Sequence, residues 1–413
     1  MVKLNLKCWI KCFFPFLVVF LFIITFMHKR LLNLEQLKHQ VYYLYWVHDV
    51  DVDEEWLQQP TQMCDGHFTG YGNEFAVLRD VEFSQDMKFK MKCASRNNQN
   101  YQFTDGMGAK NHLNQWFKAL EDSSVTKSKT IQKKKTIFVL RYEYANLYHQ
   151  MTDFYNAFLI ANLLKIPPDD LDVVLMDQNA PSVLDKTWDV LFGDVQKIKD
   201  INEPVVYKEM IWAVIGYNSP MNFHSLYSLP YGDEFSQFFK ARYNAGPKVL
   251  DCAGVSILFV WRRNYVAHPG NPSGSISRKI KNEKELIDAV QEVFPGHNVA
   301  GIQLDEHEIN DQVKWVSQTD ILVGMHGAGM SHIMELPHHA GVLELFPTYK
   351  AKTNRHFRAM ARWRGLRYRS WQNLNPNNEF KGQYTRIPPI VVTHLLLSLY
   401  TDMCGPLKIP AKS

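Results

Sequence analysis

With 413 residues, 46% of them hydrophobic and 13% aromatic, the chain is too long for one ordinary core and too apolar for wholesale disorder. Its formal net charge of +4 excludes the strongly basic face that a nucleic-acid binder carries.

The first charge-poor stretch runs from Trp9 to Met27, is interrupted only by Lys11, and has about the length a bilayer demands. Lys3, Lys7 and Lys11 lead into it, and no small-residue cleavage pattern follows it. Residues 1–30 are therefore expected to form a cytosolic tail and signal-anchor helix. The body would then lie in the lumen of the Golgi or endoplasmic reticulum, as in a single-pass type II membrane protein. Residues 31–60 read as a stem, with Leu34, Leu37, Val41 and Leu44 at helical spacing and an acidic link from Asp51 to Glu55. Cys64, Cys93, Cys252 and Cys404 follow. Four lumenal cysteines allow three pairings, and closeness in sequence favours Cys64 with Cys93, leaving Cys252 with Cys404.

Residues 61–245 are expected to form a first α/β domain on the acceptor side. Ile137–Leu140, Leu171–Met176 and Val205–Val214 are apolar runs of buried-strand type, alternating with helical patterns as in a parallel sheet. A helix starting at Asn146 puts His149 and Asp153 four residues apart on one face. Residues 246–388 are expected to form a second, doubly wound α/β domain that binds the donor. Val255–Trp261 ends in Arg262 and Arg263. Asn282 and Glu285 are spaced as a capping pair, and Val299–Leu304 is the next strand. Residues 355–369 are rich in arginine, which fits either a diphosphate lining or a solvated helix. Residues 389–413 carry a final apolar helix expected to pack back on the body.

The stretch Asp320–Pro347 reads as strand, glycine-rich turn, short helix and strand. Gly324, Gly327 and Gly329 either admit close backbone approach or take positive φ, and the amides after them, with the helix dipole, suit a diphosphate. Their spacing matches neither G-x-G-x-x-G nor a P-loop, which removes dinucleotide and P-loop readings. Ligands of such sheets lie beyond the carboxyl ends of strands. Arg262, Arg263, His326, the backbone at Gly324, Gly327, Ala328 and Gly329, and Glu344 are thus the candidate donor-binding groups, with Glu344 either on ribose hydroxyls or capping the sheet end. If a sugar is transferred to a hydroxyl, that hydroxyl needs a base. Asp153 is the first candidate and His149 the second. No cysteine or histidine set has zinc spacing, so no metal ligand is assigned.

Gly324-Met325-His326-Gly327-Ala328-Gly329-Met330-Ser331-His332 with Leu336-Pro337 resembles the signature of glycosyltransferase family 61. Asn146-Leu147-Tyr148-His149 with Asp153-Phe154 is similar to that family's upstream motif, and Asn282–Leu286 and Asp320–Val323 also match. The nearest branch is the one that transfers N-acetylglucosamine in the secretory pathway. The resemblance implies a GT-B body of two Rossmann-like domains facing a cleft, and inverting transfer from a UDP-sugar to a protein or glycan. UDP-GlcNAc comes first and UDP-xylose second; a catalytically inactive, lectin-like binder on the same scaffold is the rival. Where that branch carries an Asp-x-Asp element, this chain has Trp188-Asp189-Val190-Leu191-Phe192-Gly193-Asp194. A divalent cation such as manganese would lack one expected ligand.

Overall fold

The computed structural model describes Trp56 to Leu407, except residues 58–59, 85, 94–102, 104–111, 124–129, 215, 267–269 and 352. The expected anchor and nearly all of the expected stem lie outside the described residues. Among those described, no helix is long and apolar enough to cross a membrane.

Two large sheets organise the body. The first has ten strands. Its centre is β1 (Phe75–Phe83), β2 (Lys135–Val139), β3 (Leu171–Leu175), β4 (Val195–Lys197) and β5 (Val205–Trp212). In space the order is β1-β5-β2-β3-β4, with the last four parallel and β1 antiparallel to β5. The sequence reading anticipated the parallel part only. The antiparallel part arises because Phe68–Tyr71 turns straight back into β1 through Gly72, whose φ of 53° suits a tight reversal. Phe83, Phe89, Phe138 and Trp212 fill the core beneath, and the Cys64–Cys93 disulfide closes its edge.

Helix α1 (Leu147–Leu163) follows β2. Asn146 caps it, its side-chain oxygen accepting from the Tyr148 amide at 3.0 Å. The chain then crosses to β3 and β4 on one side of β2 and returns to β5 on the other. A switch point therefore lies at the carboxyl ends of β2 and β5.

The second sheet is wholly parallel. It contains β6 (Ser256–Val260), β7 (Asn298–Ile302), β8 (Ile321–Met325), β9 (Gly341–Phe346) and β10 (Arg367–Gln372), in the order β7-β6-β8-β9-β10. Its switch point lies between β6 and β8. Helix α2 (Gly232–Arg242) precedes this sheet, and α3 (Glu283–Val293), α4 (Ile309–Ser317), α5 (His356–Trp363) and α6 (Pro389–Cys404) accompany it. Asn282 stands at the N-cap of α3, but its amide works at longer range. It bonds Glu285 at 2.9 Å and both backbone groups of Ile387 at 2.8 and 3.0 Å, pinning the entry to α6. Leu396, Leu399 and Tyr400 of α6 then pack with Leu286 and Val290.

The Cys252–Cys404 disulfide spans 152 residues and ties the end of α6 to the start of this sheet, where the Tyr400 hydroxyl donates to the Cys252 carbonyl at 2.9 Å. Replacing both cysteines by serine is expected to cost about 2–5 kcal/mol of stability. Calorimetry checks this, and an unchanged melting midpoint would contradict it.

The arginine run is mostly structural. Arg362 donates to the His224 carbonyl, and Arg364 is buried against Asp233. Arg367 and Arg369 grip Asp402 on α6. Their charges are spent on holding helices and loops together.

Candidate active site

The second switch point is built from the ends of β6 and β8. Val260 pairs with Gly324, so the residues just beyond these strands emerge side by side. After Met325 the chain carries His326 and Gly327 into a 3-10 helix, Ala328–Glu335. The expected short helix is thus of the tighter 3-10 kind, and its first closing bond runs from the Met330 amide to the Gly327 carbonyl at 2.8 Å. The amides of Gly327, Ala328 and Gly329 precede that bond and have no place in the intrahelical pattern.

None of the three glycines needs a left-handed backbone, since Gly327 is extended with φ 168°. Gly324 and Gly327 serve instead to make room. A Cβ on Gly327 would stand 2.0 Å from Nη1 of Arg262, and one on Gly324 would stand 2.6 Å from the Met330 sulfur. The space beside the turn is therefore filled by the Arg262 guanidinium. Gly327→Ala is expected to expel that guanidinium and weaken nucleotide binding about tenfold or more, through loss of a charge-assisted contact. Titration calorimetry with UDP reads this, and native affinity in the variant would contradict it.

Arg262 and Arg263 part company. Arg262 donates from Nε to the Ser277 carbonyl at 3.2 Å and lies over the turn. Arg263 is exposed and paired with Glu283 at 2.6 Å, so its charge is already met by a carboxylate. A second guanidinium, Arg278, joins Arg262. Arg278 stands in the loop between β6 and α3, with no periodicity in the sequence to single it out. Its backbone is left-handed at φ 62°, its amide donates to the Tyr349 hydroxyl at 3.0 Å, and its buried Nε has no hydrogen-bond partner. Burial and then the charge of Arg278 hold the Arg262 pKa down at about 10, and burial lowers that of Arg278. Neither arginine forms an ion pair among the described residues. Two half-buried cations that repel each other beside a row of amides make an anion site.

Glu344 does not point to a ribose site. Its Oε1 is 2.6 Å from His326 Nδ1, and its Oε2 accepts from the Tyr368 hydroxyl at 2.5 Å. Both oxygens are engaged, and the role is to orient His326, which also stacks on Phe346. Burial first, then Arg278, Lys350 and Arg262, push the His326 pKa down to about 3, while burial raises Glu344 to about 8. The imidazole is neutral at physiological pH. His332 and His339 are structural: His332 bonds Gln312 and Glu335, and His339 bonds the buried Asp320.

The first switch point presents α1. Tyr148 lies against His356 of α5 with ring centroids 4.6 Å apart, and His356 stands 6.2 Å from His326. The Tyr148 hydroxyl bonds Asn222 at 2.8 Å and His224 at 3.1 Å. Aromatic rings thus run from the start of α1 to the glycine turn. Beside Tyr148, His149 is partly buried among Tyr142 and Tyr217, and burial lowers its pKa. Asp153, one turn further in, is only 2% exposed. Burial raises its pKa well above the ordinary carboxylate range, with Arg141 opposing and Asp177 reinforcing the shift. Its Oδ1 lies under Gly216, where a Cβ would come within 3.0 Å. That burial disfavours its charged form, whereas His149 lies beside the exposed rings of Tyr142 and Tyr217. Arg141 itself is locked to Asp177 and Asp185 at the strand ends.

Among the described residues, no three His, Cys, Asp or Glu side chains sit together as a metal-binding group.

Six histidines, His112, His149, His224, His297, His326 and His356, have lowered pKa values, each chiefly through burial. The unfolded chain therefore binds more protons below the ordinary value of 6.5. This contribution to stability is full above that pH and is lost as pH falls toward the folded values, about 4 for His112 and His224 and about 3 for His326 and His356. Glu344, Asp153, Asp189 and Asp305, raised by burial, act oppositely but are outnumbered. The melting midpoint is expected to drop by several degrees, on the order of 5 °C, between pH 6.5 and roughly pH 4.5. A flat or rising midpoint would contradict this balance.

The model of the family described as Glycosyltransferase 61 matches residues 99–343, more than half of the chain. The chain is 26% identical over 283 residues to the β-1,2-xylosyltransferase RCN11 of Oryza sativa subsp. japonica, covering 62% of this chain and 51% of that protein. The β-1,2-xylosyltransferase of Arabidopsis thaliana is 26% identical over 284 residues, covering 59% and 52% respectively. The EGF domain-specific O-linked N-acetylglucosamine transferase of Gallus gallus is 25% identical over 280 residues, covering 63% and 48%. The chain spans about half the length of these curated relatives.

Proposed function

Because this chain belongs to glycosyltransferase family 61 and is a glycosyltransferase, we propose that it moves a sugar, with inversion, from a UDP-sugar to a hydroxyl on a protein or glycan. In this reading the two sheets are the two lobes of a GT-B body facing a cleft. The observation that carries it is the pair of guanidinia, Arg262 and Arg278, beside the free amides of Gly327, Ala328 and Gly329 at the β6/β8 switch point.

The chemistry follows from these placements. The acceptor oxygen forms a bond to the anomeric carbon. The bond from that carbon to the phosphate oxygen breaks, its electron pair leaving with UDP. Arg262, Arg278 and the turn amides meet the charge that grows on the diphosphate. Neutral His326, oriented by Glu344, lines the same turn. The acceptor proton passes to the His149 imidazole, which burial keeps in its basic form at neutral pH. The arginines fill the role beside the diphosphate that a divalent ion such as manganese plays in other sites. UDP-GlcNAc is the first donor and UDP-xylose the second, a choice supported by the similarity to an N-acetylglucosamine transferase and to β-1,2-xylosyltransferases.

The protein is read as a type II Golgi or endoplasmic reticulum protein, anchored by residues 9–27 and not acting on nucleic acid. Two disulfides in the body suit an oxidising lumen. The test is a UDP-release assay of the purified protein with a panel of UDP-sugars and glycoprotein acceptors. Acceptor-dependent release from one UDP-sugar is expected. UDP binding without release from any of them would favour the inactive binder instead.

A further inference from the structure

We propose that Tyr142 and Tyr217 form a stacking platform for a pyranose ring of the acceptor, so that the attacked hydroxyl belongs to a saccharide. This rests on the transfer reading above, with His149 as base. Tyr142 lies in the connection from β2 to α1, and Tyr217 lies just beyond β5. They occupy the two sides of the first switch point, where a ligand of that lobe is expected. Tyr142 is 56% exposed and Tyr217 37%, although both sit in a body that buries most of its aromatic rings. Their centroids are 4.4 Å apart and their planes meet at 81°, so one ring is a floor and the other a wall. His149 stands 5.7 Å from each ring. One ring meets the other edge-on, and the exposure of both leaves ring surface open to a ligand.

A pyranose matches this corner. One of its faces presents C–H groups carrying slight positive charge, and the face of an aromatic ring is the negative part of its quadrupole. Stacking buries that apolar face and leaves the hydroxyls at the sugar's rim, within the neighbourhood of His149. An unglycosylated peptide fits less well. An extended chain gains affinity by adding to an open sheet edge, and here β2 and β5 pair with each other and present only their carboxyl ends.

The test measures acceptor kinetics of the full chain with its best UDP-sugar. The acceptor probes are methyl glycosides of mannose, galactose, xylose and N-acetylglucosamine, an O-mannosylated peptide, a protein N-glycan, and a folded EGF-like domain without sugar. The saccharide probes are expected to include the preferred acceptor. Tyr142→Ala and Tyr217→Ala are each expected to raise its KM about fivefold to tenfold, whereas Tyr142→Phe, which keeps the ring, stays within about twofold of native. UDP affinity, measured on the same proteins, reports whether the fold and donor site survive. An unchanged acceptor KM in both alanine variants overturns the proposal, as does preference for the sugar-free domain or failure of every saccharide to accept. Absence of UDP binding and of UDP release in the native protein is a separate result, and it strikes the transfer reading itself.

Discussion

Arg262→Ala is expected to weaken UDP binding by about a hundredfold, the largest loss of affinity from any single change in this protein. The guanidinium fills the space that Gly327 leaves open and is not neutralised by a carboxylate. Its charge-assisted bonds to a diphosphate, each worth about 1.5–3 kcal/mol, would be lost together. Arg262→Lys should recover only part of the loss, because an ammonium cannot reproduce the planar fork. Arg263→Ala is the internal contrast. That side chain is committed to Glu283 at the start of α3, and its removal should leave UDP affinity close to native. Titration calorimetry separates the three, and equal losses at Arg262 and Arg263 would contradict the assignment.

The largest kinetic effect is expected at His149. His149→Ala should lower kcat by about a hundredfold to ten-thousandfold while leaving UDP affinity near native, the pattern of a lost general base. Burial lowers the imidazole pKa from 6.5, so the basic form persists into mildly acidic solution. Activity should therefore hold as pH falls to about 6.5 and decline below that as the imidazole takes a proton. Asp153→Asn should behave differently. It keeps the shape and polarity of a carboxyl whose charged form burial beneath Gly216 disfavours, and kcat should stay within about tenfold of native. If Asp153→Asn abolished turnover and His149→Ala did not, the roles would be reversed.

Much of the second sheet was legible because its strands are continuous apolar runs ending in recognisable punctuation. Ser256–Val260 closes on Arg262, and Ile321–Met325 closes on the glycine turn. Both disulfides also follow the expected pairing. The parts that were not legible depend on distance in space. Arg278 lies in a loop with no periodicity, and only its left-handed backbone and its bond to Tyr349 identify it. Glu344 reads as a residue near a strand end, yet its partners His326 and Tyr368 are 18 and 24 residues away in sequence. His149 and Asp153 share a helix face. Which of them meets solvent is decided by how α1 seats against Gly216, and no spacing rule contains that. The glycines were recognised as a turn, but the side chains that occupy the room beside them were not.

A crystal structure of the protein with UDP bound tests the central claim most directly. The β-phosphate is expected within hydrogen-bond distance of the Arg262 and Arg278 guanidinia and of the amides of Gly327, Ala328 and Gly329. UDP bound elsewhere on the body, with Arg262 and Arg278 in no contact with it, would contradict the account.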